Sequence, residues 1–111
     1  MLPARVRILV CTEPQDLRRS FDGLALVARQ LLREDPQSGA LFAFMNKRKN
    51  RLKILWWDQN GYCLLYKRMH QSILELPKGD GSEASVRVDA RGLAELLAGI
   101  PKMSRRLKNA A

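Results

Sequence analysis

Residues 41–68 read LFAFM-NKRKN-RLKILWW-DQN-GYCLLYKR, three short apolar runs broken by a basic turn and then by a polar turn ending in Asn60-Gly61. The runs Leu41 to Met45, Leu52 to Trp57 and Tyr62 to Tyr66 are rich in aromatic and branched side chains and too short for packed helices. Each reads as a β-strand. Asn-Gly between two such runs is a hairpin signal, and the three runs together form an antiparallel β-meander.

Working outward, Arg5-Val6-Arg7-Ile8-Leu9-Val10-Cys11 begins with charged and apolar alternation and ends fully apolar, as suits a strand entering the middle of a sheet. Pro14 then breaks the pattern, leaving a loop with room for one helical turn at Asp16 to Arg19. From Ser20 the period changes. Leu24, Val27 and Leu31 recur at helical spacing while Arg29, Gln30 and Arg33 take the other side. Ser20 is placed to cap this helix and Asp22 sits in its first turn, where the helix dipole favours an acid. Gly23 weakens the start unless close packing requires its missing side chain. Asp35-Pro36-Gln37-Ser38-Gly39 ends it.

Downstream, the segment from Met69 to Leu76 fits a further strand ended by Pro77, and Val86-Arg87-Val88 fits a short one. Asp89 can cap a second helix through Leu93, Leu96 and Leu97, closed by Gly99 and Pro101. The expected fold class is therefore α+β: a small antiparallel sheet, the β-meander, with an N-terminal strand and two packing helices. One domain is expected over residues 1–101, with 102–111 a basic, flexible tail carrying Lys102, Arg105, Arg106 and Lys108 and no acid.

At 111 residues the chain can bury a core without disulfide or metal staples, and its 46% hydrophobic content excludes disorder as the general state. The apolar residues fall in short blocks, so no membrane partner is expected. The N-terminal residues lack the pattern of a secretory signal, which makes the cytoplasm the expected compartment. Cys11 and Cys63 each lie inside a strand-like run without zinc spacing, and are read as free thiols. The one histidine, His70, has no orienting partner that the sequence can place, and no phosphate-loop or dinucleotide motif occurs. Catalytic residues, metal and cofactor are not expected. A carboxylate nuclease would need Glu13, Asp16, Asp22 and Asp58 to converge, and loop, helix-start and turn roles already account for the three aspartates.

The charge balance points to a partner. Twenty Lys and Arg against eleven Asp and Glu give +9, and Lys47, Arg48, Lys49, Arg51 and Lys53 place five positive charges in seven residues. A cationic strand-turn-strand suits phosphate contacts, since each neutralised phosphate releases counterions. The same charges also serve to solubilise a hairpin tip and discourage edge pairing. Lys67 and Arg68, and in the tail Arg105, Arg106 and Lys108, extend the candidate nucleic-acid-binding set. Trp56 and Trp57 are adjacent on one strand and must face opposite sides of the sheet, so one is free for a covering helix, a second subunit or a stacked base.

The segments CTEPQDLRRSFDGL at 11–24, DPQSGALFAF at 35–44 and RLKILWWDQNGYCLLYKR at 51–68 resemble the small TnpB-type accessory protein of the sixty-sixth family of bacterial insertion sequences, a protein distinct from the larger RNA-guided nuclease of the same name. Asp16, Arg18, Phe21, Asp22, Gly23 and Leu24 match one pattern of that family, and Arg51, Lys53, Asp58, Gly61, Lys67 and Arg68 a later one. The family usually continues with an acidic, glycine-containing turn, an aromatic and a Trp-Pro pair, where this chain has Met69-His70-Gln71-Ser72-Ile73-Leu74-Glu75-Leu76-Pro77. The resemblance implies a non-catalytic accessory to DNA transposition, encoded beside a separate transposase that carries the strand-transfer chemistry. DNA, met through the basic hairpin and tail, and the transposase are the expected partners; the alternative reading is an assembly module that binds the transposase through the Trp56/Trp57 sheet without direct DNA contact.

Overall fold

The computed structural model describes residues 6–79 and 81–101. Its elements run β1 (Ile8–Cys11), α1 (Phe21–Gln30), β2 (Leu41–Met45), β3 (Arg51–Asp58), β4 (Gly61–Arg68), β5 (Ser72–Ile73), β6 (Ser85–Val88), α2 (Ala90–Ala98) and β7 (Ile100–Pro101). Five strands form one sheet in the order β4-β3-β2-β1-β6, and β5 and β7 form a separate two-stranded ribbon. The architecture is α+β, and the meander β2-β3-β4 is antiparallel throughout.

One pairing departs from the expected antiparallel sheet. β1 lies parallel to β2, with Ile8 opposite Leu41 and Val10 opposite Ala43, while antiparallel β6 covers its other edge. The sheet is therefore mixed. The physical reason is the connection: α1 intervenes between β1 and β2 and returns the chain to the same end, as a parallel pair requires. Every residue of both strands is buried, which fits their wholly apolar sequences.

Alternation along the strands builds two cores. Leu9, Cys11, Phe42, Phe44 and Leu55 face α1, which contributes Leu24, Ala25, Val27 and Ala28. Ile8, Val10, Leu41, Ala43, Met45, Leu52 and Ile54 face the other way, towards Met69, Leu74 and Leu96 of α2. The sheet is thus a middle layer between helices. Leu24 has no exposed surface, so truncating it to alanine should cost about 2–5 kcal/mol.

Local chemistry sets the ends of the elements. Ser20 holds the N-cap position of α1 but makes no side-chain cap bond, whereas Asp89 accepts from the Gly92 N–H at 2.8 Å as a cap should. Gly23 is explained by close packing: a Cβ there would stand 3.0 Å from the Cβ of Arg19. Asp16 to Arg19 form a hydrogen-bonded turn and no helix. β3 and β4 close on Gln59 and Asn60, with Gln59 at φ 55° and Gly61 already in the strand opposite Asp58. Of the strand expected from Met69 to Leu76 only Ser72–Ile73 forms, because its partner is the two-residue β7.

Among the described residues no helix is long and apolar enough to cross a membrane. Cys11 and Cys63 are free thiols; Cys11 is buried, and that burial pushes its pKa up. The tail at 102–111 lies outside the described residues, and Arg105, Arg106 and Lys108 with it.

Candidate functional site

Two segments distant in sequence meet beside the end of the β3-β4 hairpin where Arg51 pairs with Arg68. One is the loop from β1 to α1. Four bonds hold it: the Thr12 N–H to the Ala84 carbonyl at 2.9 Å, the Thr12 hydroxyl to the Glu83 carbonyl at 2.8 Å, the Gln15 N–H to the Met45 carbonyl at 2.8 Å, and Lys53 Nζ to the Arg19 carbonyl at 2.8 Å. Lys53 is only 7% exposed, and this bond compensates its buried charge.

Within that loop Asp16 grips Arg18. Its carboxylate accepts the Arg18 backbone N–H at 3.0 Å, Nε at 3.0 Å to each oxygen and Nη2 at 2.6 Å. The forked hydrogen bonding from the Arg18 side chain, then its backbone bond, draws the Asp16 carboxyl down to about 2 and raises Arg18 in turn. The guanidinium is therefore aimed.

The second segment is the basic turn, and asparagine side chains fix its backbone. Asn46 Oδ1 accepts the N–H of Asn50 at 3.1 Å and of Arg51 at 3.0 Å, while its Nδ2 donates to Asn50 Oδ1 at 2.7 Å. The carbonyls of Lys49 and Asn50 accept the N–H of Leu74 and Met69, both at 2.7 Å. Lys49 takes φ 59°, a conformation that this network holds. The charged tips sit on a hydrogen-bonded loop.

Between the segments lies an open groove of about 390 Å³ lined by Gln15, Asp16, Leu17, Arg18, Asn46, Lys47, Arg48, Arg51 and Tyr66. Arg18, Lys47, Arg48 and Arg51 against Asp16 leave three net positive charges on its lining. Arg51 donates to the Tyr66 hydroxyl, and Lys53 Nζ lies 4.8 Å from the Tyr66 ring centroid with the Arg51 guanidinium carbon at 5.9 Å. The lining thus combines four cationic side chains with one aromatic ring.

The structure sorts the sequence candidates. Lys47, Arg48 and Arg51 share the groove, and Arg68 stands exposed opposite Arg51 on the same sheet face. Lys53 lies beneath Tyr66 with its Nζ committed to the Arg19 carbonyl. Lys49 lines a smaller cavity, about 260 Å³, with Cys11, Thr12, Pro14, Met45, Asn46 and Leu76. Lys67 is on the other sheet face, donating to the Leu97 carbonyl at 2.6 Å. Trp56 and Trp57 do face opposite sides: Trp56 packs against the α2-side core, and Trp57 meets Tyr62 edge-on at 5.0 Å. Among the described residues, no three of His, Cys, Asp and Glu stand together as a metal site.

Sequence reasoning did not place Arg18 and Tyr66 in the site. Arg18 was visible only as part of a family pattern, and Tyr66 only as one residue of an alternating strand. The hairpin register, which sets Tyr66 opposite Lys53, was the signal that would have joined Tyr66 to the basic residues.

The family model described as IS66 Orf2 like protein matches residues 6–106. The uncharacterized protein y4hO of Sinorhizobium fredii (strain NBRC 101917 / NGR234) is 33% identical over 102 residues, covering 90% of this chain and 87% of its own. The uncharacterized protein y4jC of the same strain is 41% identical over 66 residues, 59% of this chain and 56% of its own. No solved structure matches. With the family model spanning nearly the whole chain and one relative aligned over most of both lengths, the chain belongs to the IS66 Orf2-like family of insertion-sequence accessory proteins.

Proposed function

We propose that this transposition-associated protein is a non-catalytic DNA-binding accessory whose groove receives phosphates on Arg18, Lys47, Arg48 and Arg51. The observation that carries the reading is the convergence of the loop arginine with three basic residues of a hydrogen-bonded turn in one open groove. Cations fixed near one another favour phosphate because little ordering is left to do when the ligand arrives. Bond chemistry then lies with the transposase.

The test is a binding titration across salt concentrations with labelled DNA. Each lost phosphate contact lowers the slope of log K against log salt by about 0.7 on a single strand and about 0.9 on duplex. Replacing Lys47, Arg48 and Arg51 together with alanine should therefore flatten it by about 2 to 3, while Lys67→Ala, on the opposite face, leaves it within about 0.9. Unchanged binding by the triple variant removes the groove from the proposal.

The alternative is an assembly module that meets the transposase through Trp56 and Trp57. Less supports it, since both rings are half-buried and already packed. Capture of the transposase that survives nuclease treatment and is lost in Trp56→Ala or Trp57→Ala would favour it.

A further inference from the structure

Tyr66 stands out in the groove because phosphate binding alone has no use for it. Its side chain is 51% exposed, at the side of a site otherwise lined by polar and cationic groups and Leu17. The ring is held in place: Arg51 donates to its hydroxyl and the Lys53 ammonium lies 4.8 Å from its centroid. An aromatic ring steadied by Lys53 and Arg51 and half exposed to solvent offers surface on which another flat π-system can lie.

We infer that the groove takes single-stranded DNA, with one unpaired base stacked on Tyr66 and the flanking phosphates on Arg18, Arg48 and Arg51. This rests on the groove being the nucleic-acid contact proposed above. Paired bases inside a duplex already stack on one another and show a protein only their edges, so an exposed ring amid cations gains from a base only when that base is free. The topology adds a second argument. Among the described residues β4 is the outermost strand of the five-stranded sheet, and none of them forms a strand that walls off the groove beyond Tyr66. A flexible strand can enter along that edge and leave past Arg68, which shares the face of Tyr66 two residues on.

Fluorescence anisotropy at fixed salt decides it, with a short oligothymidylate and a duplex of equal length as probes. The protein should bind the single strand more tightly than the duplex. Tyr66→Leu should weaken the single strand by about 5-fold to 160-fold, the range that loss of one base–aromatic stack produces, and change duplex binding by no more than about twofold. Tyr66→Trp should keep single-strand affinity, and its added indole emission should be quenched by the bound oligonucleotide. Equal affinity of Tyr66→Leu and the parent for oligothymidylate, or a preference for duplex, overturns the inference. If Tyr66→Leu does not fold, absence of quenching in Tyr66→Trp overturns it instead. The Lys47, Arg48 and Arg51 triple alanine variant separates the two levels. Loss of both probes with an indifferent Tyr66 leaves the phosphate groove standing and removes only the stacking; undiminished binding of both removes the groove as well.

Discussion

The Asn46 side chain makes three of the hydrogen bonds that shape the basic turn, and replacing it tests their contribution directly. Asn46→Ala deletes three hydrogen bonds, two from the backbone N–H groups of Asn50 and Arg51 and one to Asn50 Oδ1. At a net worth of about 0.5–1.5 kcal/mol each, their loss spans about 1.5–4.5 kcal/mol. The turn is half-buried and water can reach the freed N–H groups, which places the expected cost near 2 kcal/mol. In urea unfolding followed by the emission of Trp56 and Trp57, with a slope near 1.5 kcal/mol per molar, the midpoint should fall by about 1.3 M. Amide exchange adds a local readout. The N–H groups of Met69 and Leu74 bond the carbonyls of Asn50 and Lys49, so a turn loosened by that energy should exchange them about 30-fold faster. Asn46→Asp keeps an acceptor for both backbone groups but sets a carboxylate oxygen against Asn50 Oδ1, and its loss should be smaller. Stability of Asn46→Ala within about 0.5 kcal/mol of the parent, with unchanged exchange at Met69 and Leu74, would refute the asparagine lock.

Three further outcomes follow from the same structure. Lys53→Met removes the bond to the Arg19 carbonyl, worth about 1.5–3 kcal/mol for a charged donor, while relieving a buried charge; a net loss near 1 kcal/mol should lower the melting temperature by about 5 °C, and an unchanged or higher melting temperature would contradict the anchoring role. Gly99→Ala places a Cβ 2.5 Å from Met69 Cε and 3.0 Å from the Ile73 carbonyl at φ 71°, which should cost about 2 kcal/mol or more in a thermal melt. The Asp16 carboxyl should titrate by NMR near about 2 against an ordinary 3.8, and return towards 3.8 in Arg18→Ala. Because the folded value is the lower one, its stabilising contribution is fully present above 3.8 and is lost as pH falls through about 2; a parent titration near 3.8 would mean that the fork does not form.

Much of this was legible in residues 41–68, because strand periodicity and turn chemistry act locally. The meander, α1 and the Asp89 cap of α2 all lie on that level. The parallel partnership of β1 with β2 does not, although two wholly apolar strands flanking a helix carry its signature. Register was the subtler matter. Placing the two loop residues at Asn60-Gly61 pairs Gln59 with Tyr62, which sets Lys53 opposite Arg68 and Tyr66 opposite Leu55. The observed loop at Gln59 and Asn60 moves each partner by two, bringing Tyr66 against Lys53 and Arg51 against Arg68. A two-residue shift keeps every side chain on its face, so hydrophobic alternation cannot detect it. Arg18 entered the groove through contacts between segments some thirty residues apart, Gln15 to Met45 and Lys53 to Arg19, which no local pattern encodes.

The central position of β1 carries a consequence for how the molecule assembles. β1 precedes every other described element, yet Ile8 pairs with Val88 near the far end of the described residues. The meander β2-β3-β4 can form from neighbours alone, while β1 waits for β6 and holds an unpaired, wholly apolar edge in the interval. Chains halted before Ser85 keep that edge open and are the ones that should aggregate. The basic turn and Tyr66 belong to the early, local part of the sheet, whereas Arg18 is delivered with the loop that leaves β1. Half of the groove thus forms with the meander, and the other half closes over it only when the central strand docks.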